Sequence, residues 1–233
     1  MFLSVFGSFT PLAHVPSIVA LQDPPVYRGK LPTFNSFTVF SPPTNSGCKP
    51  RVPFYVYSSF LSTISILPRF YDREDVMALD LFTPDGFFNP FTTGFTIINS
   101  YSTKGRSNNT RSVPQDIIFA SSLLPTLTLG DLNIHHPTAD PLTVFKEDEI
   151  ATSTPYFDRA TDLGFTLLNT PGVFPLFSMS LIGRPGVLDL AFACPLLAPY
   201  FTEWSDPLRS TGSDHIPILL RFEAPLFGAP PDP

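Results

Sequence analysis

The sequence predicts a single strand-rich domain of the α/β or all-β class, and three observations carry that expectation. The 233 residues suffice for one domain with a sizeable core. Hydrophobic residues make up 43% and charged residues 15%, a globular composition and not a disordered one. The 28 prolines favour short strands joined by loops over long helices, because proline lacks an amide N–H and clashes with the preceding helical turn.

Short runs rich in Val, Ile, Phe or Thr recur between turn signals, and each reads as a strand. They cover 17–21, Phe37–Phe40, 53–57, 62–66, Val76–Phe82, 94–99, 125–129, 187–192 and 216–222. Helices are expected over 111–122 and 154–163. In the second, Ser153 or Thr154 caps the start, Pro155 lies in the first turn and Gly164 supplies the stop. Residues 99–111 and 140–153 read as polar loops, and the Pro-rich tail after Glu223 as unordered. There is no internal repeat and no sign of a second domain.

The formal net charge of −6 and a pI near 5.0 argue against tight, sequence-independent binding to DNA through overall charge. The distribution softens this. Between Pro24 and Tyr71 stand Arg28, Lys30, Lys49, Arg51 and Arg69 with no acid, and Lys104, Arg106 and Arg111 form a second basic stretch. Solvated loops explain these equally well. Cys48 and Cys194 form no ligand pattern and read as reduced thiols of an intracellular protein. The apolar N-terminus has no Lys or Arg before Arg28 and is broken by Pro11 and Pro16, unlike a signal peptide. No run reaches the roughly 18–20 apolar residues of a membrane helix.

Three short motifs at strand ends carry chemistry. Gly130-Asp131-Leu132-Asn133 follows an apolar strand. On an extended backbone it puts a carboxylate and an amide on one side, suited to holding a water or a phosphate oxygen. Alone it is also a common turn. Ser213-Asp214-His215 precedes the last strand. The imidazole can act as acid, base or phosphate ligand, although a capping Asp and a surface His would look the same. Asp189 lies within the apolar run Val187-Leu188-Asp189-Leu190-Ala191-Phe192, where a carboxylate is costly unless paired. An Asp bonded to one imidazole nitrogen frees the other for chemistry, and His215 is the natural partner.

In this order and at these separations the motifs resemble the endonuclease/exonuclease/phosphatase superfamily, over nearly the whole chain. Leu21-Gln22-Asp23-Pro24 stands where that family has Gln-Glu, and Ile98-Asn99-Ser100-Tyr101 where it has an Asn-x-Tyr facing the scissile phosphate. The longer wording (VYRGKLP, FSPPTNSG, LGDLNIHHP, LLNTPGV, PGVLDLAFACPLL) resembles the endonuclease domains of fungal LINE-type (non-LTR) retrotransposons.

The resemblance implies a DNase I-like α/β fold, a four-layer sandwich of two facing mixed β-sheets flanked by helices, with the site at the strand ends. It implies Mg²⁺, with Mn²⁺ as the alternative, held by Asp23 and Asp214. Asp131 would orient or deprotonate the attacking water and Asn133 would position it. His215, oriented by Asp189 and assisted by Tyr101, would bind the phosphate and stabilise the developing charge. His135 and His136 become a loop feature with no metal. DNA is the implied substrate, with no membrane partner and a nuclear location for a functional element.

The sequence also departs from the family pattern. Only 22 residues precede Asp23 and none is Asn, so the chain reads as N-terminally truncated: a remnant over 1–16, the domain over 17–223, and the tail over 224–233. Asp23 replaces a Glu, which draws its carboxylate back by about 1.5 Å. The segment Phe174-Pro175-Leu176-Phe177 stands where a more polar substrate loop is expected, and no reverse transcriptase follows. Three functions fit: a Mg²⁺-dependent DNA endonuclease, an inactive remnant that at most binds nucleic acid, and a phosphatase of a small phosphorylated substrate.

Overall fold

The computed structural model describes residues 2–5, 17–43, 49–82, 94–103, 113–120, 123–141, 143–171, 187–205 and 218–222. They form two six-stranded mixed sheets. Numbered along the chain, the first sheet orders β11 (Phe201–Ser205), β12 (Ile218–Phe222), β1 (Phe2–Val5), β2 (Ile18–Ala20), β4 (Phe54–Tyr57) and β3 (Phe37–Phe40). The second orders β5 (Ser65–Phe70), β6 (Val76–Phe82), β7 (Gly94–Tyr101), β8 (Thr126–Asp131), β10 (Asp189–Ala193) and β9 (Thr166–Leu167). The pairs β1–β12 and β7–β8 are parallel and the others antiparallel.

Strand periodicity sorts the side chains between two cores. Ile18, Ala20, Phe54 and Val56 of the first sheet pack against Met77, Leu79, Leu81, Phe95, Ile97, Leu127, Leu129, Ala191 and Ala193 of the second. The alternate residues Val76, Leu190 and Phe192 face the other way, under helix α3 (Glu147–Asp162), which contributes Tyr156, Phe157 and Ala160. Two short helices, α1 (Ser58–Leu61) and α2 (Gln115–Ile118), complete the described helices of four or more residues. Facing mixed sheets with helix outside are the α/β sandwich that the sequence implied.

Phe37–Phe40 and Val76–Phe82 match the sequence expectation, whereas other elements move. The strand read over 62–66 lies at Ser65–Phe70 with Pro68 inside it. β5 is an edge strand, where a residue without an N–H costs no ladder bond. Helix α3 begins seven residues before the expected start, so Pro155 lies in its interior. The Lys146 N–H donates to Glu149 Oε2 at 2.9 Å, which caps a start that an Asp-Glu-rich first turn also favours. Pro155 leaves only the carbonyl of exposed Ala151 without its helical donor, where water can serve. The expected helix over 111–122 contracts to Gln115–Ile118, following Pro114. Phe2–Val5 pairs with both β2 and β12, so the sheet reaches into the stretch that the sequence set aside as a remnant.

Candidate active site at the mouth between the sheets

The alternation that fills the inter-sheet core continues into polar residues at one end. On β7 the column Phe95, Ile97 runs on to Asn99 and Tyr101. On β8 the column Leu127, Leu129 ends on Asp131, and on β10 Ala191 and Ala193 share their face with Asp189. Register joins these ends: Tyr101 lies opposite Asp131 in the parallel ladder and Asp131 opposite Asp189 in the antiparallel one. Both Asp131 and Asp189 are buried, with 5% of each exposed.

Gly130 makes this approach possible. Its φ of 155° and the overlap that any Cβ would make with the Ser100 carbonyl oxygen exclude every other residue. Beyond it the strand stops. The expectation that Asp131 and Asn133 share a side of an extended backbone does not hold, because Asn133 adopts a left-handed φ of 51°. Its N–H donates to Asp131 Oδ1 at 3.0 Å, a local turn that Asn accommodates better than most residues. Its side-chain amide donates to the Ser102 carbonyl at 2.7 Å. Asp131 is thereby fixed from one side.

The first sheet supplies a different chemistry. Asp23 follows β2 with a φ of 46° and is a third exposed. Its Oδ1 receives both Lys49 Nζ at 3.0 Å and Arg51 Nε at 3.1 Å. Arg51 also donates to Thr103 Oγ1 at 2.7 Å and lies over the Tyr101 ring, 4.3 Å from its centroid. Arg51 thus ties the first sheet to the end of β7. Burial raises the Tyr101 pKa, the Asp23 and Asp131 carboxylates add to the rise, and Arg51 opposes it. At neutral pH the Tyr101 phenol therefore keeps its proton and can donate.

Asn99 has no exposed surface. It accepts from Gln22 Nε2 at 2.6 Å and donates to the Leu21 carbonyl at 3.0 Å, clamping the two sheets beneath the mouth. Asn169 does similar work behind Asp189. Its amide donates to the Asp189 carbonyl at 2.9 Å and accepts from the Ala191 N–H at 2.8 Å. Sequence reasoning gave neither Gln22 nor Asn169 a role, and it saw Lys49 and Arg51 only as members of a basic stretch. Gln22 lies in the Gln-Glu-like motif and Asn169 in LLNTPGV, so the resemblance touched both, but their bonds join elements distant in sequence and no local pattern showed them.

The structure brings together Asp23, Tyr101, Asp131, Asn133 and Asp189 of the sequence-derived set. Asp214 and His215 lie outside the described residues, as do Cys48, Lys104, Arg106, Arg111, the Phe174–Phe177 segment and the tail. His136 is built into the packing: its ring stacks on Phe157 at 4.0 Å and its Nδ1 accepts the Thr138 N–H. Burial lowers its pKa against a smaller opposing effect of Asp158. Among the described residues no three His, Cys, Asp or Glu side chains group as metal ligands, and no helix is long and apolar enough to cross a membrane.

No family model matches the chain, and no curated protein does. Solved structures match. The endonuclease domain of TRAS1, a telomere-specific non-LTR retrotransposon, superposes with a TM-score of 0.56 at 13% identity, covering 89% of this chain and 86% of that one. The AP endonuclease LMAP from Leishmania major gives 0.65 at 15% identity, covering 87% and 77%. The fold is therefore shared with these two endonucleases, as the sequence resemblance implied.

Proposed function

We propose that this chain is a hydrolase of DNA phosphodiester bonds, an endonuclease of the retrotransposon type, acting at the mouth between the sheets. The observation that supports it most is the convergence there of two strand-end carboxylates, a protonated phenol and a guanidinium. Hydrolysis of a phosphodiester asks a site to orient a water and to neutralise the charge that develops on the phosphoryl oxygens.

In this reading Asp131, held by its register and by the Asn133 N–H, accepts the proton of the attacking water, with Asn133 as its positioning partner. Tyr101 donates its O–H to a phosphoryl oxygen, and Arg51 and Lys49 supply positive charge beside it. Like charges directly across a ladder repel, so Asp131 and Asp189 call for a positive neighbour. The sequence offers His215, which Asp189 would orient and which would bind the phosphate.

The donor chemistry fits Mg²⁺ or Mn²⁺ in part. Asp23 is a hard oxygen ligand, and among the described residues no bond reaches its Oδ2. Asp23, together with Asp214, would hold the ion, and the ion would supply Lewis-acid polarisation of the phosphate. Lys49 and Arg51 compete for the same carboxylate, so the proposal carries weak metal affinity with it. Such an enzyme would work on nuclear DNA.

The test compares nicking of supercoiled plasmid with phosphate release from inositol polyphosphates, both with Mg²⁺ supplied. Nicking without phosphate release is the expected result. Phosphate release without nicking would replace the nuclease with a small-molecule phosphatase, and neither activity would leave an inactive descendant. Asp23→Glu should raise nicking by restoring ligand length.

A further inference from the structure

The loop leaving β2 has a feature that the proposed chemistry does not use. Tyr27 and Lys30 exchange both backbone N–H···O=C bonds at 3.0 Å, with Arg28 at φ 50° and Gly29 at φ 75°. Two successive positive φ values in a two-residue turn follow the type I′ pattern, which strongly favours Asn, Asp or Gly. Arginine in the first position is a poor choice for the turn alone. Its guanidinium lies over the Tyr27 ring, 5.2 Å from the centroid, yet Tyr27 stays 74% exposed. Arg28, Gly29 and Lys30 are exposed as well.

The turn has a firm base. The Tyr55 hydroxyl donates to the Pro32 carbonyl at 2.8 Å, and Phe34 packs edge-on against Tyr55 at 5.6 Å. An exposed aromatic ring, a guanidinium and an ammonium are therefore held out on a preorganised hairpin. No acid occurs between Pro24 and Tyr71, and Asp23 at the root of the loop is already paired with Lys49 and Arg51. This stretch of chain is basic although the whole chain carries −6.

Aromatic faces flanked by cations match nucleic acid, whose bases stack and whose phosphates need counter-charge. We propose that the Tyr27–Lys30 turn is a nucleic-acid contact. Tyr27 stacks on a base or sugar, and Arg28 and Lys30 take backbone phosphates beside the scissile one. Tyr27 follows Asp23 by four positions, so their Cα atoms lie within about 14 Å of each other, roughly four base steps. The inference rests on the nuclease reading and adds to it the element that grips the strand.

Fluorescence anisotropy with a labelled DNA duplex, divalent metal chelated so that nothing is cut, tests binding apart from catalysis. Tyr27→Ala should weaken binding about tenfold with little change in salt dependence. Arg28→Ala should weaken it and lower the slope of log affinity against log salt by about one. Arg28→Gly suits the turn better than arginine and should still lose affinity, which separates a contact from a structural role. Lys146→Ala, at the exposed start of α3, serves as the neutral control.

Wild-type affinity in Tyr27→Ala and Arg28→Gly would overturn the inference, and if plasmid nicking persists the nuclease reading survives it. Loss of affinity in the turn variants with no nicking by wild type would uphold the contact and remove the nuclease. No DNA binding by wild type would overturn the inference, and plasmid nicking would then decide the nuclease reading by itself.

Discussion

The two sheets contribute opposite things to the mouth they share. The second sheet delivers Tyr101, Asp131 and Asp189 from the ends of central strands, where ladder register and Gly130 leave the backbone no choice. The first delivers Asp23, Lys49 and Arg51 from the chain just outside β2 and β4, where one backbone bond from the Asp23 N–H to the Arg51 carbonyl at 2.7 Å and partly exposed ion pairs hold them. Ion pairs of this kind contribute about 0–1 kcal/mol each, whereas shifting a buried carboxylate on β8 would disturb a core. One wall of the site is acidic and rigid. The other is basic and adjustable, which suits a polyanion that must enter and leave.

Substitutions on the rigid wall should be the most damaging. Gly130→Ala drives a Cβ into the Ser100 carbonyl, and a loss on the order of 3 kcal/mol or more is expected in urea unfolding. A stability within 1 kcal/mol of wild type would show that β7 and β8 yield more easily than their register implies. Asn169→Ala removes two bonds to the β10 backbone and should cost about 1–3 kcal/mol, because the Ala191 N–H is left buried and unpaired. A neutral result would mean that Asp189 needs no support from behind.

On the adjustable wall the effects should be electrostatic and smaller. Arg51→Ala removes the charge that holds the Tyr101 pKa down, so the phenol should titrate at higher pH in an ultraviolet titration. It also frees Asp23 from one competitor, so Mn²⁺ binding, read by paramagnetic resonance, should strengthen. Unchanged values for both would separate Arg51 from the site.

The smallest effect concerns pH. Burial raises the pKa values of Tyr55, Tyr71 and Tyr101 above 10.0. A raised folded value favours the protonated form on folding. Its contribution is therefore complete below pH 10.0 and lost as pH climbs through the raised values. The urea midpoint should fall above that pH, less so in Tyr101→Phe.

The same contrast explains what the sequence made legible. The apolar runs read as strands over 94–99, 125–129 and 187–192, with the Gly-Asp-x-Asn punctuation, carried the rigid wall, because backbone periodicity decides which side chains share a face. The adjustable wall left no such trace. Arg51 reaches Asp23, Thr103 and Tyr101 across 28 to 52 residues, and nothing local distinguishes it from any other basic residue. Pro155 misled for a physical reason: proline usually opens a helix, yet an exposed interior position tolerates it when water can satisfy the freed carbonyl. Asn133 looked extended because the strand before it is, but its own side-chain type favours the left-handed turn that pins Asp131.

The most direct test of the mouth as a catalytic centre is Mg²⁺-supported plasmid nicking by wild type and by Asp131→Asn. This change keeps shape and burial while removing the proton acceptor. The account predicts that wild type nicks and that the variant, folded by circular dichroism, nicks about 10²–10⁴-fold more slowly. Equal nicking by the two proteins would contradict it.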